Sequence, residues 1–311
     1  MITSIFGKTK PINYIIVLTF LFLFYWVVHF FLYNKAYEPE QLLGQTVIIG
    51  VFLFTVFIVD FIVKRNKITL ANSFVMLFYA LLTMVFPETL TDNMAILCNF
   101  FVLLAIRRLI SMRSLKKMKI KIFDASIWIL FASLFYDWAL MFLLVVFIAI
   151  YIYEPKNFKN WLVPFAATVT FGMISSAYLV LTDNVQFFVS HYRFSIEFDA
   201  DFYLNWASSS KLMIYMLALF ILTVLAFIKL GNSGVGKIVT TRLIVFSMII
   251  GLLLNVLISS ENLHPILLTF FPASVLMTNY IESIKRDKIK EIVLILSILI
   301  PFSVFLSIMI L

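Results

Sequence analysis

Charge is scarce in this chain. Only 13% of its 311 residues are Asp, Glu, Lys or Arg, while 63% are hydrophobic and 35 are Phe. That balance excludes packing as a soluble globular protein, which carries about 25% charged residues. Cysteine is scarcer still. The single one, Cys98, lies inside an apolar run, which excludes an internal disulfide and suits a small packing residue. No small-x-small cleavage site follows the first apolar run, so a removable signal peptide is not expected and that run should remain as an anchor. No loop exceeds about 30 residues, which leaves no room for a separate soluble module. The glycines of GNSGVGK lack the Walker spacing and the Lys-Ser/Thr pair, so this segment reads as an ordinary turn. There is no clear internal repeat of the kind many transporters carry. Neither a metal-ligand spacing nor a cofactor motif is present.

What the chain has instead is apolar runs of about 18 or more residues along its whole length, the signature of spanning helices. They are separated by short loops in which the basic residues collect. Residues 107–121, RRLISMRSLKKMKIK, hold seven of the 24 Lys and Arg. Cytoplasmic loops accumulate such residues, so this stretch sets the topology. The net charge of +8 is explained by the same loops and by attraction to anionic lipids, and nucleic acid is not expected as a partner.

Counting outward from that stretch predicts an all-α, polytopic transmembrane bundle of about 11 spans, with a single integral membrane domain over 1–311. The expected spans are 13–33, 42–63, 70–86, 93–105, two arms within 123–153, 162–181, 212–230, 243–259, 265–281 and 292–311. The 31-residue run 123–153 admits one long span or a hairpin turning near Asp137. The hairpin places nine downstream cations inside and leaves only Arg193 and Lys211 outside, and a single span reverses this. With the N-terminus inside and the C-terminus outside, 21 of the 24 cations share the cytoplasmic face. The longest external loop is then 182–211. The first hairpin arm, 14 residues, reaches only about 21 Å against a hydrocarbon core of about 30 Å. Its apex therefore either sits below the outer surface or is merely wet.

Several ionisable residues are candidates for chemistry. Glu38 and Glu40, in the first external loop, could serve as a general base or hold a divalent ion on a pyrophosphate; the plainer reading is a solvated acidic loop. Asp137 would signal function if it lies at membrane depth. In 190–202, SHYRFSIEFDADF, polar and apolar residues alternate with period two, which predicts an extended segment with one apolar face. His191, Arg193, Glu197 and Asp199 would then face a watery groove, with Arg193 gripping a lipid-linked phosphate; the plainer reading is an interfacial lid. Glu88 and Asp92 flank the turn after Pro87, where Asp92 is expected to cap the next helix. Asp60 and Asp124 should pair with nearby cations. Asn72, Asn93, Asn99, Asn255 and Asn279 are expected to join helices.

The opening MITSIFGKTKPIN and the block from FDASIW through LFYDW to YEPKNFKNWLVPF resemble an uncharacterised family of bacterial multi-span inner-membrane proteins. The resemblance implies a multi-pass inner-membrane location and no particular activity. Some relatives carry the label of a carotene-cleaving oxygenase. Such enzymes hold iron with four histidines, whereas this chain has only His29, His191 and His264. A weaker likeness, in span number and in an acidic first external loop at Glu38 and Glu40, is to membrane glycosyltransferases that use polyprenyl-phosphate sugars and to surface-polysaccharide polymerases. It implies an enzyme of envelope glycan or lipid assembly acting at the outer face on a polyprenyl- or lipid-linked substrate. Glu38, Glu40 or Asp137 would be the acid or base, and His191, Arg193 and Glu197 would bind substrate. The alternative is a non-catalytic membrane subunit of an envelope machine, or a transporter-like component, with membrane lipids and a protein of the envelope as partners.

Overall fold

The computed structural model describes residues 2–310 except Glu197, Asp199, 231–233 and 259–263. The chain is helical throughout, with no strand among the described residues. In order the helices are α1 (Ile2–Phe6), α2 (Pro11–Val27, continued by a π turn, Val28–Leu32), α3 (Pro39–Asn66), α4 (Phe74–Val85), α5 (Asn93–Ser111), α6 (Met118–Ala132), α7 (Leu143–Tyr153) and α8 (Phe158–Leu181). There follow α9 (Phe187–His191), α10 (Ala200–Leu204), α11 (Trp206–Leu230), α12 (Val235–Leu257), α13 (Phe270–Ser283) and α14 (Asp287–Ile310).

Local chemistry marks the ends. Pro11 and Pro39 open α2 and α3, where a missing N–H costs nothing. Glu38 and Gln41 form a capping box on α3, and Lys64 and Arg65 lie in its last turn, where they oppose the helix dipole. Asp92 caps α5 as expected, its Oδ1 accepting from Ala95 N at 2.9 Å. Asp60 pairs with Lys64 at 2.7 Å and Asp124 with Arg108 at 2.9 Å, which also meets expectation.

Seven helices are long and apolar enough to cross a membrane: Pro11–Leu32, Pro39–Asn66, Asn93–Ser114, Phe158–Leu181, Ser209–Lys229, Gly236–Leu257 and Asp287–Ile310. This is a multi-pass membrane protein. The other four expected spans fall on the shorter helices α4, α6, α7 and α13.

Two of these short helices form the centre of the bundle. Every residue of α4 from Phe74 to Met84 is buried, and so is α13 from Phe270 to Leu276. A helix apolar all round can bury every face, and here the neighbouring helices enclose it. At 1.5 Å per residue α4 is only about 18 Å long. A 3-10 turn extends each at the same end, Pro87–Leu90 after α4 and Pro265–Thr269 before α13. Such irregular backbone at depth is tolerated because protein surrounds it. The two helices meet through Tyr79 and Phe270, whose ring centroids are 6.0 Å apart, and Asn99 donates to Tyr79 Oη at 2.9 Å, joining α5 to this centre.

The run 123–153 is broken. The α6 helix ends at Ala132, and a 3-10 turn, Asp137–Phe142, leads into α7. Phe101 of α5 stacks on Trp128, Phe131 and Phe135, so the first arm lies against α5. On the outside of the bundle, α11 and α14 are only 17% buried over their most apolar windows, against 56% for α5 and α12, and their apolar flanks are the natural lipid surface.

The loops gather at two ends. At the basic end Glu291 accepts from the backbone of Ile2 and Thr3, Ser73 N donates to Phe6 O, and Glu282 accepts from Leu70 N and Asn72. At the acidic end lie Glu88, Asp92, Tyr136, Lys211 and His264, joined as described below.

Candidate polar site at the acidic end

The expected site residues divide into groups. Glu38 is spent on its capping box and Glu40 lies exposed in the first turn of α3. Asp137 is half-buried. Its Oδ1 accepts from Trp138 N at 2.7 Å and its Oδ2 from Phe194 N at 2.8 Å, so the carboxylate ties the α6–α7 turn to the segment between α9 and α10. His191 Nε2 donates to Ser133 O at 2.7 Å, Tyr192 Oη meets Ser133 Oγ at 2.9 Å, and Trp138 Nε1 donates to Ser195 O at 3.0 Å. Asp137 and His191 thus converge on one turn. Arg193 is exposed. Glu197 and Asp199 lie outside the described residues.

The local conformation corrects one expectation. Residues 190–202 are not a continuous extended segment. Helix α9 runs to His191, 192–196 are irregular, and α10 begins at Ala200. The aromatic rings impose a helical period instead, Phe187 stacking on His191 (4.9 Å) and Phe188 on Tyr192 (5.9 Å). Phe194, Ile196 and Phe198 are exposed on the bundle surface, while Tyr192 and polar His191 turn inward together.

A second cluster is more buried. Asp92 is 6% exposed. Besides capping α5, its Oδ2 accepts from the hydroxyl of Tyr136 and from His264 N at 2.8 Å. One carboxylate therefore fastens α5, the α6–α7 turn and the entry to α13. Beside it Lys211 Nζ meets Glu88 Oε1 at 2.6 Å and lies 4.9 Å over the ring of Phe86. Burial lowers the pKa of His264, opposed by the charges of Glu88 and Asp92, so the imidazole is held neutral at pH 7 and can act as a base.

The loop between α2 and α3 borders this cluster. His29, fully buried in the π turn of α2, stacks on Tyr25 with 4.1 Å between centroids. Its Nε2 donates to Leu90 O at 3.0 Å, which leaves Nδ1 to accept from the hydroxyl of Tyr37. Leu90 ends the turn that carries Glu88, so the loop and the cluster share one wall.

The chemistry on offer is a neutral imidazole, an ammonium–carboxylate pair and phenols at the rim of an apolar bundle. Of these residues the sequence pointed to Glu88 and Asp92 but assigned no site to Lys211, Tyr136 or His264. The available signal was an ionisable residue next to a proline at the end of an apolar run, at Pro87 and again at Pro265. Among the described residues, no group of three or more His, Cys, Asp and Glu side chains is placed to hold a metal ion. Comparison with known protein families, with curated proteins and with solved structures found no match for this chain.

Proposed function

We propose that this chain is a bacterial inner-membrane protein of about 11 spans, with its basic end in the cytoplasm, that acts in envelope glycan or lipid assembly. Its substrate is polyprenyl- or lipid-linked and is met at the acidic, outer end. The observation that carries this reading is the placement of Glu88, Lys211 and His264 beside buried Asp92 at the mouth of an otherwise apolar bundle. Ionisable groups are costly there, and they are retained where they serve a pathway or a reaction. His264 is the base, and Lys211 holds the phosphate once it is released from Glu88. Arg193 stands on the neighbouring loop as a second phosphate contact. This assignment moves the chemistry away from Glu38, which the capping box occupies.

A specific observation favours a second reading, a non-catalytic membrane subunit. Glu38, Asp92 and Asp137 all accept from backbone N–H groups, as structural carboxylates do. The two readings separate in cells lacking the native gene. H264A and K211A, each expressed to wild-type level, should lower the yield of the surface product at least tenfold and cause its lipid-linked precursor to accumulate. Wild-type product with both variants would overturn the enzymatic reading. Loss of a co-purifying envelope protein from them, with no precursor accumulated, would establish the subunit.

A further inference from the structure

The basic end carries a cavity that the proposed outer-face chemistry does not use. It lies between α11, α12 and α13 and has a volume of about 240 Å³. That is below the roughly 300–1,000 Å³ of a drug-sized pocket, and suits a compact polar group. Its lining has two characters. Leu222 and Leu225 of α11 continue outward into that helix's exposed apolar flank, where Ile221 and Ile228 are 49% and 72% exposed. Lys229, Lys237, Asn279 and Glu282 form the polar side.

These four groups differ in what they need. Lys229 and Lys237 come from consecutive helices and supply two ammonium groups, the first lying 5.9 Å from the ring centroid of Tyr280. Asn279 Oδ1 is buried and has no hydrogen-bond partner among the described residues. Leaving such an atom unpaired carries the desolvation cost of a lost hydrogen bond. Glu282 accepts from Leu70 N at 2.8 Å and from Asn72 Nδ2 at 2.6 Å, both on Oε1, and among the described residues no donor meets Oε2. Burial raises its pKa while Lys237 and Lys290 lower it, so a cation drawn to this carboxylate would relieve a real cost.

We propose that this cavity binds the head group of an aminophospholipid. The phosphate lies between Lys229 and Lys237, and the primary ammonium donates to Glu282 Oε2 and Asn279 Oδ1. The acyl chains leave past Leu222 and Leu225 along the outer flank of α11. An anionic lipid would satisfy the lysines but bring no cation to Glu282. A choline head group has the right charge but no N–H to offer Asn279. The inference requires only that the bundle stand in a membrane, and it is independent of the reaction assigned to the acidic end.

Native mass spectrometry of the full-length protein, stripped of lipid and given mixed micelles of phosphatidylethanolamine, phosphatidylcholine or phosphatidylglycerol, tests it. Wild type should retain phosphatidylethanolamine at least tenfold better than phosphatidylcholine. E282Q, in which an amide oxygen can still accept from Leu70 and Asn72, should fold and lose that preference. The double variant K229A/K237A should lose retention of every phospholipid. Equal retention of ethanolamine and choline lipids by wild type would overturn the proposal, as would phosphatidylglycerol retained most strongly and unaffected by E282Q. Displacement of bound lipid by millimolar inorganic phosphate would overturn it too, by identifying a soluble anion as the ligand.

Discussion

Asp92 does at one position what three separate contacts would otherwise have to do. Its cap on α5 was legible because an aspartate directly before an apolar helical run is a local pattern. Its bonds to Tyr136 and His264 were not, since they join residues 44 and 172 positions apart and no spacing rule reaches that far. The cost of removing it follows from what would be stranded. D92A leaves a phenol, a helix-end N–H and a loop N–H without their acceptor in a nearly dry place, and should destabilise the protein by about 3 kcal/mol. Y136F removes one donor and leaves the other two bonds intact, and should cost about 1 kcal/mol. Unfolding equilibria in bicelles, measured by steric trapping, would check both the size and the order. Equal effects would mean that the carboxylate is tied to α6–α7 alone.

At the scale of elements, the long helices were readable and the short ones deceptive. The runs that became α3, α8 and α14 announce themselves by length. The runs at 70–86 and 265–281 look the same on paper, yet the structure turns each into a short buried helix plus a 3-10 turn. The difference lies in the prolines: Pro87 cannot continue α4, and Pro265 opens the 3-10 turn ahead of α13. The 190–202 segment misled in the opposite sense. Its alternation is genuine, but the i,i+4 ring pairs at 187–192 outweigh it over the first turn. Packing around the 3-10 turns can be tested through glycine. Gly251 of α12 crosses the Pro265–Thr269 turn so closely that an added Cβ would lie 2.9 Å from Thr269 Cγ2, whereas Gly172 of α8 has nothing within 4 Å. G251A should lower stability by about 1–3 kcal/mol by overpacking. G172A should leave it unchanged or raise it by up to about 1 kcal/mol through helix propensity. Thermal inactivation of the two proteins in the same detergent would distinguish them.

For the whole molecule, the distribution of charge was the most informative property of the sequence. Arg107, Arg113 and Lys121 drew attention to one end, and the hydrogen bonds of Glu282 and Glu291 show how the loops at that end are tied together. Which compartment each end faces is open to direct measurement. Single cysteines at Lys117 and Arg193 should react with a membrane-impermeant maleimide from opposite sides of sealed vesicles, Arg193 from the side corresponding to the cell exterior. Native Cys98 is fully buried and should remain silent. Labelling of both positions from one side would break the proposed arrangement.

The two central helices also impose an order of synthesis. Helix α4 leaves the ribosome early, is too short to cross a bilayer by itself, and finds its main partner only when α13 has been made, 198 residues later. At 5–20 residues per second that interval is about 10–40 s. Throughout it the half-made protein must keep an apolar, uncommitted segment from settling in the wrong place. The early helices α2 and α3, which pack on α4, are therefore an assembly vestibule before they are a wall. Chains truncated ahead of α13 should be the species that the membrane's quality-control proteases find first.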